Sequence, residues 1–207
     1  MITPQNFQAD INNLDALGTM IQLKPTPHFE GGTLLLMPKT FGPALHVHPS
    51  QSELLKVEQG ELDVFTGKKW VTLQAGEQIY IPKKTTHTFR NSSNEAVVFD
   101  FAVTPKIGLT YLLLTLDELV KTGKINKKSA FSSIVYKSQA IAAFPEVSRT
   151  SWPPHVVTRV IASIGAFFGY NIVREKYRAT YLRPVKLWEG SGKTADIDLA
   201  ILEEVLF

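Results

Sequence analysis

The sequence predicts a mainly β domain, a sandwich or a barrel, followed by an α-helical C-terminal extension. From residue 19 to residue 104, short apolar runs are separated by Gly, Pro and Asn, and several runs alternate apolar and polar residues as half-buried strands do. After Pro105 the apolar residues recur at helical spacing instead. We therefore expect an N-terminal arm over 1–18, a barrel over 19–105, and a helical extension with an irregular tail over 106–207.

The composition is that of a globular protein with a sizeable core. Of the 207 residues, 44% are hydrophobic and 20% are charged. There is no cysteine, which excludes disulfides and thiolate chemistry. The N-terminus lacks a basic region followed by an apolar run, so no secretory signal is predicted and we expect a cytoplasmic protein.

The charge differs between the two parts of the chain. Residues 1–105 contain 8 Lys and Arg against 10 Asp and Glu, and residues 106–207 contain 14 against 9, which gives −2 and +5 within a net charge of +3. The basic residues of the extension are scattered, without interleaved aromatic residues. A solvated surface is therefore favoured, and a nucleic-acid partner is not expected.

The strands of the barrel are predicted from eight runs, with hairpin turns at "EQGE" and "TGKK". In chain order the runs are "TMIQLKP", "GTLLLMP", "ELLKVEQ", "GELDVFTG", "KWVTL", "EQIYIP", "THTFRN" and "EAVVFDFAV". Many short strands at close spacing are typical of an all-β sandwich or barrel.

Three helices are predicted in the extension. The first, in "YLLLTLDELVKTG", has Thr115 and Glu118 as a capping box and Gly123 as its stop. The second, in "SAFSSIVYKSQAIAAF", has Ser129 as its N-cap and ends before Pro145. The third begins at "WPPHVV", where two prolines suit the first turn of a helix.

The third helix contains an apolar run over 156–173, which has three interpretations: a packed helix, a membrane-surface helix or a membrane span. Arg159 interrupts the run. Six apolar side chains share one helical face, and we expect that face to pack on the barrel or on a partner subunit, without membrane association. They are Val157, Val160, Ile161, Ile164, Phe168 and Ile172.

Two histidines separated by one residue, His46 and His48, lie in what reads as one strand. Side chains two apart on a strand point to the same face, so both would project together. Glu53 begins the next run and His87 lies in a later one. Each residue alone has an ordinary structural role, but three imidazoles and one carboxylate converging inside a barrel would form a site for a divalent first-row metal.

The same four residues belong to two motifs that resemble those of the cupin superfamily. Four residues separate the histidine pair from the glutamate, six separate the glutamate from a glycine, and 15 separate that glycine from the second motif. The positions that fit are His46, His48, Glu53 and Gly60 in the first motif, and Gly76, Pro82, His87 and Asn91 in the second.

Two positions depart from the family pattern. Thr40 stands where the first motif begins with glycine, with Gly42 two residues later, and Lys84 replaces a glycine of the second motif. Both glycines serve turns, so the departures concern local loop geometry and leave the ligands intact. Asn91 is expected to fix a turn.

The resemblance implies a cupin-type jelly-roll barrel with one metal ion held by His46, His48, Glu53 and His87. Four protein ligands in an octahedron leave two positions open, whereas Zn²⁺ prefers four ligands and would be nearly saturated. The identity of the metal, among Fe, Mn, Ni, Co and Zn, stays open at this stage.

The function that the resemblance implies is that of a dioxygenase-type oxidoreductase acting on a small organic molecule, with Glu53 also moving protons as a catalytic residue. The alternatives are an isomerase of a sugar or hydroxy-carbonyl compound, and a non-catalytic metal-stabilised module that binds or senses a small ligand. A homodimer is expected, because cupins commonly pair barrels and the apolar extension needs a cover. Five aromatic residues are candidates for either the pocket or the plain core: Phe65, Tyr80, Phe89, Phe99 and Phe101.

Overall fold

The computed structural model describes residues 1–24, 26–126 and 130–172. A short 3-10 helix, Asn13–Leu17, precedes the strands. The strands are β1 Thr19–Leu23, β2 Glu30–Leu36, β3 Thr40–Phe41, β4 His46–Val47, β5 Ser52–Gln59, β6 Glu61–Thr66, β7 Trp70–Gln74, β8 Gln78–Ile81, β9 His87–Asn91, β10 Val97–Thr104 and β11 Arg149–Thr150. The helices are α1 Leu109–Lys121, α2 Ala130–Ala143 and α3 His155–Phe167.

The strands form two antiparallel sheets. One sheet has the order β1-β2-β10-β5-β8, and the other has the order β11-β4-β9-β6-β7, with β3 also paired to β9. Most neighbours in each sheet are not consecutive in the chain, as expected when strands cross between two layers. The predicted mainly β jelly-roll fold with helices after it is confirmed.

The main core lies between the two sheets. The first sheet contributes buried side chains such as Leu55 and Phe99, and the second contributes Leu62 and Val64. Phe89 of the second sheet meets Phe99 edge to face, with ring centroids 5.1 Å apart. Successive side chains of a strand point to opposite faces of its sheet. These buried residues therefore mark the inner face of each sheet, which packs against the other sheet.

Each of the five aromatic candidates packs against other apolar or aromatic side chains. Three of them, Phe89, Phe99 and Phe101, belong to the core cluster. Tyr80 packs with a second, smaller cluster of Phe29, Leu54 and Ala102, and Phe65 packs on Trp70 at 5.6 Å between ring centroids. Tyr80 and its neighbour Ile81 lie on opposite faces of β8, which explains why only Ile81 reaches the main core.

The predicted capping box of the first helix is wrong. Thr115 lies inside α1, where its hydroxyl donates to the Tyr111 carbonyl at 2.7 Å. The first turn is capped instead by Glu30 of β2, whose carboxylate accepts backbone N–H groups from residues 107–110 at 2.7–3.0 Å. The predicted stop is confirmed, since α1 ends at Lys121 and Gly123 takes a left-handed φ of 71°.

The other two helices lie where they were predicted. Helix α2 ends at Ala143, before Pro145, and the predicted N-cap Ser129 lies outside the described residues. Helix α3 begins directly after Pro154. The predicted irregular tail, from residue 174 onward, also lies outside the described residues.

Helix α3 does not pack its predicted face on the barrel, which was one of two predicted alternatives, and a partner subunit stays a prediction for that face. Its buried residues are Thr158, Ala162 and Gly165, and Gly165 lies so close to Val135 of α2 that it has no room for a Cβ. Small residues therefore let the two helices approach, and most of the apolar face turns outward, although Ile172 beyond the helix is buried in the core. Val160, for example, is 51% exposed. No helix among the described residues is long and apolar enough to cross a membrane.

Candidate metal site

The four predicted site residues come from three strand ends and a loop, and they lie between the two sheets. His46 pairs directly with His87 across β4 and β9 of one sheet. His48 follows β4, two residues beyond His46. Glu53 is the second residue of β5 in the other sheet, where it pairs with Ile81. Hydrogen-bond register, and not proximity in sequence, therefore brings His87 to the histidine pair.

The three imidazoles form a tight, buried group. The ring centroids are 5.0 Å apart for His46 and His48, 4.2 Å for His46 and His87, and 5.1 Å for His48 and His87. One nitrogen from each ring lies within 4.8 Å of the others. Two atoms that each bind one metal at about 2.1 Å are at most about 4.2 Å apart, so small side-chain adjustments would let the three share an ion.

The other ring nitrogen of each histidine is already used. The Nδ1 atom lies 2.9 Å from the Ala44 carbonyl in His46, and 2.9 Å from the Thr85 carbonyl in His87. In His48 it lies 2.5 Å from the Val147 carbonyl. A carbonyl oxygen only accepts, so each Nδ1 carries the hydrogen and each Nε2 is left as the ligand atom.

Glu53 reaches two of the three histidines, His48 and His87, from the opposite sheet. Its Oε2 atom lies 2.9 Å from Nε2 of His87 and 3.8 Å from Nε2 of His48. Both atoms of the shorter contact are buried, and neither has a hydrogen-bond partner outside this pair. Two buried atoms with lone pairs this close together need a positive charge between them. A divalent cation fits this donor set of three nitrogens and one oxygen.

The pKa values in the site shift in opposite directions. Burial, reinforced by the charges of His87 and His48, lowers the pKa of His46 well below its ordinary value. Burial also lowers the pKa of His48, against the opposing charge of Glu53. Both rings are therefore neutral near pH 7, as metal ligation requires.

His87 and Glu53 behave as a pair. Burial would lower the pKa of His87, but the contact with the Glu53 carboxylate outweighs it, and this pKa is raised. Burial would raise the pKa of Glu53, but the contact with His87 outweighs it, and this pKa is lowered. Without metal, these shifts favour an ion pair, and a bound cation would replace the proton on His87.

The loop that contains Lys84 accommodates one of the two departures from the family pattern. Lys84, which replaces a glycine, adopts a left-handed φ of 66°, and its N–H donates to the His48 carbonyl at 2.8 Å. The turn geometry is thus kept without glycine, at some conformational cost. Asn91 fixes a turn as predicted, because its amide donates to the carbonyls of Leu36, Met37 and Glu95.

The extension takes part in the second sheet, which the sequence analysis missed. Strand β11 pairs with β4, placing Arg149 opposite Val47 and Thr150 opposite His46. Two residues earlier, the Val147 carbonyl accepts the His48 hydrogen bond. A two-residue strand between two helices leaves no periodic signal in the sequence.

The comparison with protein families agrees with this geometry. Residues 32–104 match the family model described as "Cupin domain". This part of the chain is a cupin domain. The match begins within β2, ends with β10, and includes all four residues of the site. No curated protein matches the chain in sequence.

Solved structures resemble parts of this chain at low identity. An uncharacterized conserved protein with a double-stranded beta-helix domain from Klebsiella pneumoniae is 24% identical, with a TM-score of 0.39 over 42% of this chain and 76% of that one. A sugar phosphate isomerase of the cupin superfamily from Silicibacter pomeroyi is 17% identical, with a TM-score of 0.42 over 49% and 68%. A predicted oxalate decarboxylase from Thermotoga maritima is 18% identical, with a TM-score of 0.39 over 41% and 78%. These likenesses do not bear on activity.

Proposed function

We propose that this protein is a mononuclear metalloprotein in which His46, His48, Glu53 and His87 bind one divalent transition metal. One observation carries the proposal: three buried imidazoles lie close enough to share an ion, each Nδ1 is bonded to a backbone carbonyl, and the buried Glu53 Oε2 atom lies next to Nε2 of His87 and of His48. With a single carboxylate against a dication, the loaded site would have a net charge of +1. It would therefore attract anionic or enolate-like small molecules.

The proposed activity is that of a dioxygenase-type oxidoreductase acting on a small organic molecule with two chelating oxygens. Fe²⁺, Mn²⁺, Ni²⁺ or Co²⁺ with open coordination positions would supply Lewis-acid and redox chemistry. The three histidines hold the ion, and Glu53 is the proposed catalytic residue, because its Oε2 atom would hold a proton when detached from the ion. An isomerase of a hydroxy-carbonyl compound would use the same groups.

A non-catalytic binding module is the second candidate, and the burial of the site favours it. His48 is 3% exposed and His87 is 1% exposed, so the ligands themselves have little contact with solvent. An ion saturated by all four side chains in this setting would stabilise the barrel without turning over a substrate.

Elemental analysis of the purified protein tests the metal site, with a His46→Ala/His48→Ala double variant as control. Near-stoichiometric Fe, Mn, Ni or Co that is lost in the control is the expected result. Metal no higher than in the control, even after reconstitution, would overturn the proposal.

The loaded protein is then screened for O₂ uptake with catechols and β-diketones, alongside Glu53→Gln. Uptake that falls sharply in Glu53→Gln supports the oxygenase. Stoichiometric Zn²⁺, or bound metal with neither O₂ uptake nor isomerisation of hydroxy-carbonyl compounds, favours the binding module.

A further inference from the structure

The segment between α2 and α3 runs along the strand that carries two of the proposed ligands. Beyond the β11–β4 pairing, the Ser151 N–H donates to the Leu45 carbonyl at 2.8 Å. The Ser151 hydroxyl also lies 3.2 Å from that of Thr86, the residue before His87. The extension is therefore bonded to both strands that present histidines.

His48 differs from the other two histidines in the origin of its acceptor. His46 and His87 each bond a carbonyl two residues away in their own loops. His48 bonds the carbonyl of Val147, 99 residues away, and both residues are buried. The orientation of one of the three imidazoles thus depends on the extension.

The acceptor is tied to both neighbouring helices. The Val147 N–H donates to the Phe144 carbonyl at 3.1 Å, just after α2. The buried hydroxyls of Thr150 and Thr158 lie 2.7 Å apart, which connects β11 to α3. Gln139 of α2 donates to the Ala162 carbonyl of α3 at 3.2 Å. A shift of either helix would therefore displace the segment that orients His48.

We propose that segment 147–151 of the extension is a positioning element of the metal centre, and that metal binding in the barrel is coupled to docking of α2 and α3. The inference depends on the metal site proposed above. A fixed Nδ1 acceptor aligns Nε2 with the ion, so docking raises metal affinity. By reciprocity, a bound ion favours the docked extension by the same factor.

The test compares Thr158→Val with Thr115→Val in the full-length chain. Both substitutions remove a buried threonine hydroxyl with a 2.7 Å hydrogen bond, but Thr115 bonds within α1, away from segment 147–151. Co²⁺ affinity is measured by titration of the visible absorbance, whose intensity also reports the ligand geometry. We expect Thr158→Val to weaken Co²⁺ binding about 3- to 10-fold, less than the 10- to 100-fold that loss of an outer-shell partner costs. Thr115→Val should stay within about twofold of the wild type.

Hydrogen exchange gives the reciprocal readout. Co²⁺ should slow amide exchange in segment 147–151 of the wild type, and should have no effect there in His87→Ala. If Thr158→Val does not fold, Ser151→Ala, which loses the contact with Thr86, takes its place in the titration.

The outcomes separate this inference from the proposed function. The coupling would be refuted if both threonine variants bound Co²⁺ tightly with equal affinity and if Co²⁺ did not change amide exchange in segment 147–151. That outcome would not affect the proposed metal site. Failure of the wild type to bind Co²⁺ would refute the site and the coupling with it.

Discussion

At the scale of single residues, the site depends on which ring nitrogen of each histidine faces the centre. The Nδ1 bonds to backbone carbonyls fix the hydrogen on that atom, so the metal-free protein should hold His46 and His48 as neutral Nδ1–H tautomers at pH 7. Zn²⁺, a diamagnetic ion, should then shift the Nε2 resonances of all three histidines. Long-range ¹H–¹⁵N spectra of the imidazole rings measure both effects.

The exposed His28 is the internal control for that experiment, because it does not belong to the cluster of three histidines and its ring should not respond to Zn²⁺. An Nε2–H tautomer at His46 or His48 would contradict the prediction.

At the scale of the elements, a single carboxylate ties three strands of the second sheet together. Asp63 of β6 accepts hydrogen bonds from Thr72 of β7 at 2.7 Å, and from Arg90 of β9 at 3.0 Å and Ser92 just after it at 2.6 Å. Burial would raise the pKa of Asp63, but these three donors outweigh it, and the pKa is lowered. The ionised form is therefore the stabilising one.

Asp63→Asn should lower the free energy of unfolding by about 1–2 kcal/mol at pH 7. A depressed folded-state pKa gives stability that is present above the unfolded-state value of about 3.9 and is lost as the pH falls through the folded-state value. The difference between wild type and Asp63→Asn should therefore shrink between pH 5 and pH 3, as roughly set by that reference pKa. Urea unfolding across this range measures it.

Glu61→Gln, at an exposed position of the same strand, is the matched control and should show neither effect. If the free energy of unfolding differed between wild type and Asp63→Asn by the same amount at all pH values, the prediction would be contradicted.

A single carboxylate of β2 likewise stabilises the N-terminus of α1. Glu30 is 3% exposed, and its two carboxylate oxygens accept four N–H groups of the helix start. Glu30→Gln leaves one acceptor oxygen and no charge near the positive end of the helix dipole, so it should cost about 2–3 kcal/mol in urea unfolding. Glu118→Gln, later in α1, should change stability by less than about 0.5 kcal/mol. Equal losses in the two variants would contradict the capping role.

These elements show what the sequence predicts and what it does not. The histidine pair and the strands around it leave local, periodic signals, so the barrel and the metal-ligand candidates were predictable. The cap of α1 was not predictable, because the Glu30 carboxylate that forms it lies 77 to 80 residues before the N–H groups that it accepts. Thr115 fits the sequence pattern of a local N-cap, but it lies inside α1 and its hydroxyl donates to the Tyr111 carbonyl. Val147 acts through its backbone carbonyl. Every residue has such a carbonyl, so the residue type gives no signal in the sequence.

At the scale of the whole molecule, the outward face of α3 bears on self-association. Phe167 is 85% exposed and Phe168 is 70% exposed, and no acidic residue occurs in the helix. The homodimer stays a prediction, and we propose that this face forms the contact between two copies. Sedimentation velocity should show a dimer that Val160→Glu converts to monomer. Asn94→Glu, on an exposed loop of the barrel, should leave it intact. A monomeric wild type would refute the proposal.

A metal ion would hold together parts of the chain that are far apart in sequence. His46 and His87 belong to one sheet and Glu53 to the other, and His48 depends on the extension. An unfolded chain does not bring these groups together, so binding adds directly to the free energy of unfolding. At 100 times the dissociation constant the gain is about 2.7 kcal/mol. For a chain of this length, that gain corresponds to a rise in Tm of about 5–11 °C.

Thermal unfolding with and without Co²⁺ measures that rise, with Mg²⁺ as the control ion, because a hard cation prefers oxygen ligands. The rise should diminish at low pH, where protons compete for the imidazoles. His87→Ala should abolish it, because losing the only histidine of β9 leaves the two of the first motif without a partner across the sheet. An equal rise in wild type and His87→Ala would place the ion elsewhere on the protein, and the cluster between the sheets would then be a structural network of neutral histidines around one ion pair.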